Sequence, residues 1–176
     1  MSSEILLQHR QIQLIIERLS RQIIESLDLR NTVIIGVQPR GTLFAEKIHH
    51  NIEQLSKLKI PFGKIDTTFH RDDFRRGKNL NAKVTEIDFL LEGKTVLLLD
   101  DVLYTGRTIR AAMDAMLTFG RPEKVELMVL IDRRFNRELP IQADFIGKTV
   151  DTIEHINVEV IWDSANADNK VIFINE

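Results

Sequence analysis

The sequence contains no cysteine, so it can form neither a disulfide framework nor a thiolate metal site. No apolar run approaches the roughly 18 residues that a membrane-spanning helix needs, and the first residues lack the charged-then-apolar plan of a secretion signal. Internal repeats and low-complexity linkers are missing as well. The formal net charge of -2 gives no overall attraction to nucleic acid, so any such binding would need a local basic patch. We therefore expect a cytoplasmic protein.

The 176 residues, of which 43% are hydrophobic and 28% charged, suit a single domain over residues 1–176. Apolar residues at helical spacing predict helices over residues 3–27 and 43–55, and a third over residues 107–119 ends at Gly120. Short apolar or β-branched runs predict strands at residues 32–37, 64–69, 95–99, 125–131, 144–146, 158–162 and 171–174. Strands that alternate with helices predict an α/β fold with a doubly wound, mostly parallel sheet, which binds ligands at the carboxyl ends of its strands.

The most informative segment follows a predicted buried strand, where two acids precede a turn into a helix. A helix N-terminus offers unpaired N–H groups and a partial positive charge, Gly106 lets the backbone approach an anion, and Thr105 and Thr108 add hydroxyl donors. This combination predicts a bound phosphate. Asp100 and Asp101 would repel that phosphate at close range, so they fit better one sugar-length away, as acceptors for ribose hydroxyls. The alternative is an exposed acid pair beside an ordinary helix cap.

Residues 96–108 resemble the phosphoribosyl pyrophosphate (PRPP) motif of type I phosphoribosyltransferases, and most closely that of the pyrimidine regulator/uracil phosphoribosyltransferase family. The resemblance covers most of the chain and is weakest in residues 1–30 and beyond residue 150. It implies that Asp100 and Asp101 are catalytic and bind the ribose hydroxyls. The adjoining residues that it assigns to PRPP or nucleotide binding are Val102, Leu103, Tyr104, Thr105, Gly106, Arg107 and Thr108.

A second loop, Pro39-Arg40-Gly41, is similar to the loop that binds the pyrophosphate in this family. The resemblance implies that all three residues contact the substrate and that Arg40 is the catalytic cation. The family often carries a cis peptide in this loop, and because proline makes a cis bond cheap, we predict one at Gln38-Pro39. A plain strand-to-helix turn is the alternative.

Residues 71–85 are polar, lack any period, and resemble the flexible lid of the family. Five basic and two acidic residues give this segment a net charge of +3. A cationic lid would offset charge on the departing pyrophosphate and exclude water. The lid residues assigned to this role are Arg71, Arg75, Arg76 and Lys78. A merely solvated surface loop is the alternative.

Tyr104 bears on which base is transferred. Purine enzymes with a similar loop usually carry aspartate at this position, and a phenol, which ionises only near about pH 10, cannot replace a carboxylate base at neutral pH. Residues 137–148 also resemble the pyrimidine family, and they predict a hood over the base from about residues 133–150 together with the C-terminal strands. The base-hood residues are Phe145, Ile146, Gly147, Lys148 and Val150. A packing role for Tyr104 is the alternative.

The resemblance implies transfer of phosphoribose from PRPP to uracil, giving UMP and pyrophosphate, with Mg2+ carried by PRPP and no direct protein ligand. The family also includes mRNA-binding regulators of pyrimidine genes and commonly forms homodimers, so mRNA and a homodimer or larger homo-oligomer are expected partners. The RNA-binding candidates, which would face phosphates, are Arg18, Arg21, Arg137 and Lys148, with Arg10, Arg133 and Arg134 as further ones.

Two departures from the family pattern weaken the RNA interpretation: Gln142 replaces the usual arginine, and residues 133–137 replace the usual Arg-Gly-His-Arg. Three alternatives to a uracil enzyme therefore stay open. They are an RNA-binding regulator with weak or no catalysis, a transferase for another base, and a catalytically silent nucleotide-binding protein.

Overall fold

A computed structural model describes residues 3–70, 83–151, 156–163 and 168–175. In chain order its elements are β1 (Ser3–Leu7), α1 (His9–Ser26), β2 (Thr32–Val37), α2 (Arg40–Ser56), β3 (Phe62–Ile65), β4 (Thr95–Leu103), α3 (Arg107–Met116), β5 (Lys124–Arg133), β6 (Phe145–Val150), β7 (Ile156–Ile161) and β8 (Lys170–Asn175). Short 3₁₀ turns lie at Thr68–His70, Leu117–Phe119 and Arg134–Asn136. Within this described part of the chain, no helix is both long enough and apolar enough to cross a membrane.

Five parallel strands form the main sheet in the order β3-β2-β4-β5-β6. Helices α1 and α2 pack on one face, where Leu19 and Phe44 are fully buried, and α3 packs on the other through Ile109 and Ala112. The central strands β2 and β4 are apolar because both of their faces are covered. The predicted doubly wound α/β fold is confirmed.

The chain's first residues form a strand, so the prediction of a helix from residue 3 is wrong at its start. Ser3–Leu7 pairs antiparallel with β8, with Ile5 opposite Ile172. Helix α1 begins only at His9, where the N–H of Gln8 donates to the side chain of Gln11 at 2.8 Å. The partner strand lies at the far end of the chain, so no local pattern signals the pairing.

Strands β1, β8 and β7 form a separate antiparallel sheet, which we call the small sheet. The predicted hood of residues 133–150 needs correction, because residues 145–150 are the edge strand β6 of the main sheet, with Phe145 paired to Met128. A short apolar run has the same sequence pattern in a hood and in a core strand, and only its strand pairing distinguishes the two.

The remaining boundaries matter at two places. β4 continues to Leu103, so both acids lie inside its carboxyl end and not after it. β3 is shorter than predicted and gives way to the turn at Thr68–His70.

Candidate active site

Two adjacent carboxylates lie at the carboxyl end of β4. Asp100 and Asp101 are 7% and 6% exposed, and the N–H of Asp101 donates to Oδ1 of Asp100 at 2.9 Å. Oδ2 of Asp101 is buried and has no hydrogen-bond partner among the described residues. Burial raises the pKa of the Asp101 carboxyl, and the charge of Arg40 opposes that rise. Because a buried acceptor is costly to leave unpaired, this oxygen suits a ligand hydroxyl.

The turn after β4 forms a pocket at the start of α3. Gly106 has a φ of +90° at the helix N-cap, a backbone conformation that residues other than glycine rarely adopt. The pocket has a volume of about 390 Å³. Its lining residues are Asp100, Val102, Leu103, Tyr104, Thr105, Gly106, Arg107, Thr108, Ile109 and Glu138. The structure therefore brings the predicted residues 102–108 together around one pocket beside the carboxylates.

A larger cavity of about 660 Å³ lies between α1 and α2 and is lined by residues such as His9 and Lys47. Its lining residues include neither carboxylate of the pair and none of the residues around the pocket at the start of α3. We place the candidate site in the smaller pocket because Asp100 and the turn predicted to bind phosphate both line it.

The segment after β5 is hydrogen-bonded to the turn between β4 and α3. The N–H groups of Glu138 and Leu139 donate to the carbonyl of Thr105 at 3.0 and 3.2 Å. The carboxylate of Glu138 also lies 2.6 Å from Nε of Arg107. Sequence reasoning missed Glu138 as a site residue, because it lies 31 residues beyond Arg107 and only its place in a family-like segment marked it.

The predicted pyrophosphate loop lies at the start of α2, against the carboxylates. Its Gln38-Pro39 bond is cis, which confirms the prediction. Gly41 is packed so closely that a Cβ there would lie 2.7 Å from Oδ1 of Asp100. Nη2 of Arg40 lies 2.9 Å from Oε1 of Glu159 on β7, so the small sheet also reaches this loop.

Tyr104 is held from two sides by arginines. The Cζ atom of Arg133 lies 3.9 Å from the ring centroid. Arg137 donates one hydrogen bond to the carbonyl of Tyr104 and a second to the carboxylate of Asp132 at the end of β5. The guanidinium of Arg133 in turn donates to the carbonyl of Ile156 at 2.8 Å.

The predicted base-hood residues differ in burial, and their role as an apolar wall stays a prediction. Phe145 and Val150 are buried in the cluster beneath α1 and α2, and Ile146 packs on the opposite cluster. Gly147 has no room for a side chain, because a Cβ would overlap the carbonyl of Leu130. Lys148 alone among the five is exposed.

The predicted lid residues Arg71, Arg75, Arg76 and Lys78 lie outside the described residues, and their role stays a prediction. The segment that leads to them is fixed by Nη2 of Arg110, which donates to the carbonyl of His70 at 3.2 Å. Across the described ranges, no group of three or more histidine or acidic side chains could hold a metal ion.

A doubly wound parallel sheet whose central strand ends in a buried acid pair, followed by a glycine turn into a helix, is the arrangement of the type I phosphoribosyltransferase class. The chain belongs to the phosphoribosyl transferase domain family, whose model matches residues 2–165.

Curated relatives named bifunctional protein PyrR include one from Haemophilus ducreyi, 41% identical over 98% of this chain and 97% of the relative. Another, from Lactococcus lactis subsp. cremoris, is 49% identical over 78% of this chain and 77% of the relative. Among solved structures, the hypoxanthine phosphoribosyltransferase of Trypanosoma cruzi is similar with a TM-score of 0.68 at 19% identity, covering 96% of this chain and 95% of that one. At this identity the likeness supports the fold alone.

Proposed function

We propose that this protein transfers phosphoribose from PRPP to N1 of uracil, producing UMP and pyrophosphate. The observation that carries the proposal is the buried, unpartnered Oδ2 of Asp101 beside the pocket at the start of α3. A ribose hydroxyl on that oxygen and a phosphate on the N–H groups of the turn would together hold the two ends of a phosphoribosyl group. Tyr104, which lines this pocket in place of an acid, favours a pyrimidine.

The residues act mainly by positioning and by charge stabilisation. The bond between ribose C1 and the pyrophosphate oxygen breaks, the bond from C1 to uracil N1 forms, and the N1 proton is released. The carboxylates hold the ribose while positive charge develops on its ring, and Arg40 offsets negative charge on the departing pyrophosphate. Release of Arg40 from Glu159 costs little, since this half-exposed ion pair contributes at most about 1 kcal/mol.

Magnesium is part of the proposal as a companion of PRPP. The acid pair fits such an ion through water, because Asp101 offers one unpartnered oxygen and no third carboxylate or histidine joins the pair within the described residues. The ion would neutralise pyrophosphate charge when bound. Turnover should stop on addition of EDTA and return with excess Mg2+.

Conversion of radiolabelled uracil to UMP in the presence of PRPP tests the proposal directly. We expect UMP with the parent protein and a loss of about 100-fold or more for Asp101→Asn, since the substitution removes a charged group aimed at the reacting sugar. Hypoxanthine should not be a substrate. Transfer to hypoxanthine but not to uracil would show that the acceptor is a purine. An unchanged rate for Asp101→Asn would show that the acid pair takes no part in the reaction.

RNA binding is a second candidate, favoured by the bifunctional relatives and by one surface. Arg18 on α1 donates to the carbonyls of Ile146 and Gly147 on β6, at 3.1 and 2.7 Å, so Arg18, Arg21 and Lys148 belong to adjoining elements. Arg137 does not join them, because it is only 18% exposed and engaged with Tyr104 and Asp132. The candidate RNA surface is therefore the exposed edge of α1 and β6.

Filter binding to a hairpin from pyrimidine-operon mRNA, at two salt concentrations, tests this candidate. Saturable binding that weakens with salt is expected, with Arg21→Gln and Lys148→Gln each reducing both the affinity and the salt slope. Binding that does not saturate at either salt concentration would exclude the regulator while leaving the enzyme assay intact.

A further inference from the structure

We infer that Asp132, Arg133 and Arg137 are positioning residues that fix Tyr104 at the mouth of the base site and thereby determine specificity for the base. The inference deepens the proposed function and rests on its placement of the base next to Tyr104. It assigns to two arginines of the chain, both among the RNA-binding candidates, a role inside the transferase site.

The ring of Tyr104 is held on one face. Arg133 stacks on it with Cζ 3.9 Å from the centroid, while the same guanidinium is tied to the carbonyl of Ile156 on the small sheet. Arg133 is only 3% exposed, so its charge is largely removed from water. A desolvated cation gains more from an aromatic face than an exposed one does, and this stack therefore restrains the ring strongly.

The backbone of Tyr104 is held as well. Arg137 bridges the carbonyl of Tyr104 and the carboxylate of Asp132, and the side chains of Arg137 and Asp132 are only 18% and 8% exposed. Planar guanidinium groups suit such two-point contacts better than ammonium groups do. The turn that carries the phosphate site is thus tied to β5 at its first residue.

The fixed ring leaves a defined surface for the base. Tyr104 is 40% exposed although one face is covered by Arg133, so the rest of its surface is available at the edge of the pocket. A rigid side chain beside the base can exclude a two-ring base by shape. A side chain that can move aside admits both one-ring and two-ring bases. Loss of either arginine should therefore weaken uracil binding and relax discrimination against larger bases.

The kinetic test compares Arg133→Gln and Arg137→Gln with Arg121→Gln. Arg121 lies just before β5, is exposed, and serves as the control for the loss of one positive charge. We expect the KM for uracil to rise about tenfold in the first two variants with a smaller change in kcat, and no change in the control. In a Tyr104→Leu background, Arg133→Gln should add no further loss.

A spectroscopic test separates positioning from activity, since Tyr104 is the single tyrosine of the chain. Incorporation of 3-fluorotyrosine gives one fluorine resonance, which should shift and broaden in Arg133→Gln and stay unchanged in Arg121→Gln. Arg133→Lys, which keeps the charge, serves if the glutamine variant does not fold, and the same shift is expected.

The outcomes distinguish this inference from the proposed function. An active parent whose two network variants keep the parental KM for uracil would overturn the inference and leave the enzyme assignment standing. An unshifted fluorine resonance in Arg133→Gln would overturn it as well. A parent protein without transferase activity would rule out the proposed function. In that case the affinity for UMP, measured through the same fluorine resonance, would test the inference: it predicts weaker UMP binding in Arg133→Gln, and an unchanged affinity would overturn it.

Discussion

At the scale of single residues, Asp101 is a site residue that lowers the stability of the folded protein. Its carboxyl is buried, one of its oxygens has no partner, and its pKa is raised above that of an unfolded aspartate because burial disfavours the charged form. An acid with a raised pKa in the folded state lowers stability once the pH exceeds that pKa, and the penalty disappears as the pH falls below the value for the unfolded chain.

Asp101→Asn should therefore be inactive yet at least as stable as the parent at neutral pH. The stability difference should narrow as the pH is lowered, because the parent then protonates Asp101 and loses its penalty. Urea unfolding of both proteins at neutral and mildly acidic pH measures this difference. A variant less stable than the parent at neutral pH, with no dependence on pH, would contradict this account.

At the scale of elements, the site depends on how closely the start of α2 approaches β4. A Cβ on Gly41 would meet Oδ1 and Cα of Asp100 at 2.7 and 2.8 Å, and the carbonyl of Leu99 at 2.8 Å. Two of these atoms are backbone in a buried central strand, so they cannot move aside cheaply. The loop at Arg40 can therefore lie this close to the carboxylates only because residue 41 is a glycine.

Gly41→Ala should lower the free energy of unfolding by about 1–3 kcal/mol, as other forced contacts in packed regions do. It should also raise the KM for PRPP, because the loop moves away from the acids. Gly93→Ala is the control, since Gly93 has a φ of +68° but a Cβ added there would meet no atom within 4 Å. That variant should lose some stability from backbone strain and keep its KM for PRPP. A parental KM in Gly41→Ala would show that this contact does not position the loop.

The sequence predicted those elements and site residues whose signals are local. The main strands, the second helix, the acid pair with its turn, and the cis bond at Gln38-Pro39 each depend on neighbouring residues. It did not predict β1, whose partner strand lies at the other end of the chain. It also missed Glu138 and the engagement of Arg137 with Tyr104, since both require the connection after β5 to fold back over the turn.

The same limit explains the misplaced hood. An apolar run of six residues is compatible with a wall around a base and with a core strand, and the parallel pairing of β6 to β5 decides between them. Spacing along the chain cannot reveal that pairing. The lid residues, which lie outside the described ranges, stay a prediction from charge and resemblance.

At the scale of the whole molecule, the site draws on both sheets. β4, α2 and α3 supply the acids, the pyrophosphate loop and the phosphate turn, while β7 of the small sheet contacts Arg40 through Glu159 and Arg133 through the carbonyl of Ile156. A ligand that contacts the acids, the loop at Arg40 and the turn at Gly106 together favours the folded state, because only that state brings these parts together. Stability should therefore rise with the concentration of PRPP.

At PRPP concentrations near 100 times its dissociation constant, with Mg2+ present, the linkage amounts to about 2.7 kcal/mol. For a chain of this length that raises the melting temperature by roughly 5–10 °C. Differential scanning calorimetry measures the shift, with ribose 5-phosphate and pyrophosphate as partial ligands that should each give less, because each contacts only one part of the site. Asp101→Asn should lose most of the shift. If ribose 5-phosphate alone gave the full shift, the loop at Arg40 would make no contribution to binding, and the pyrophosphate assignment would have to be abandoned.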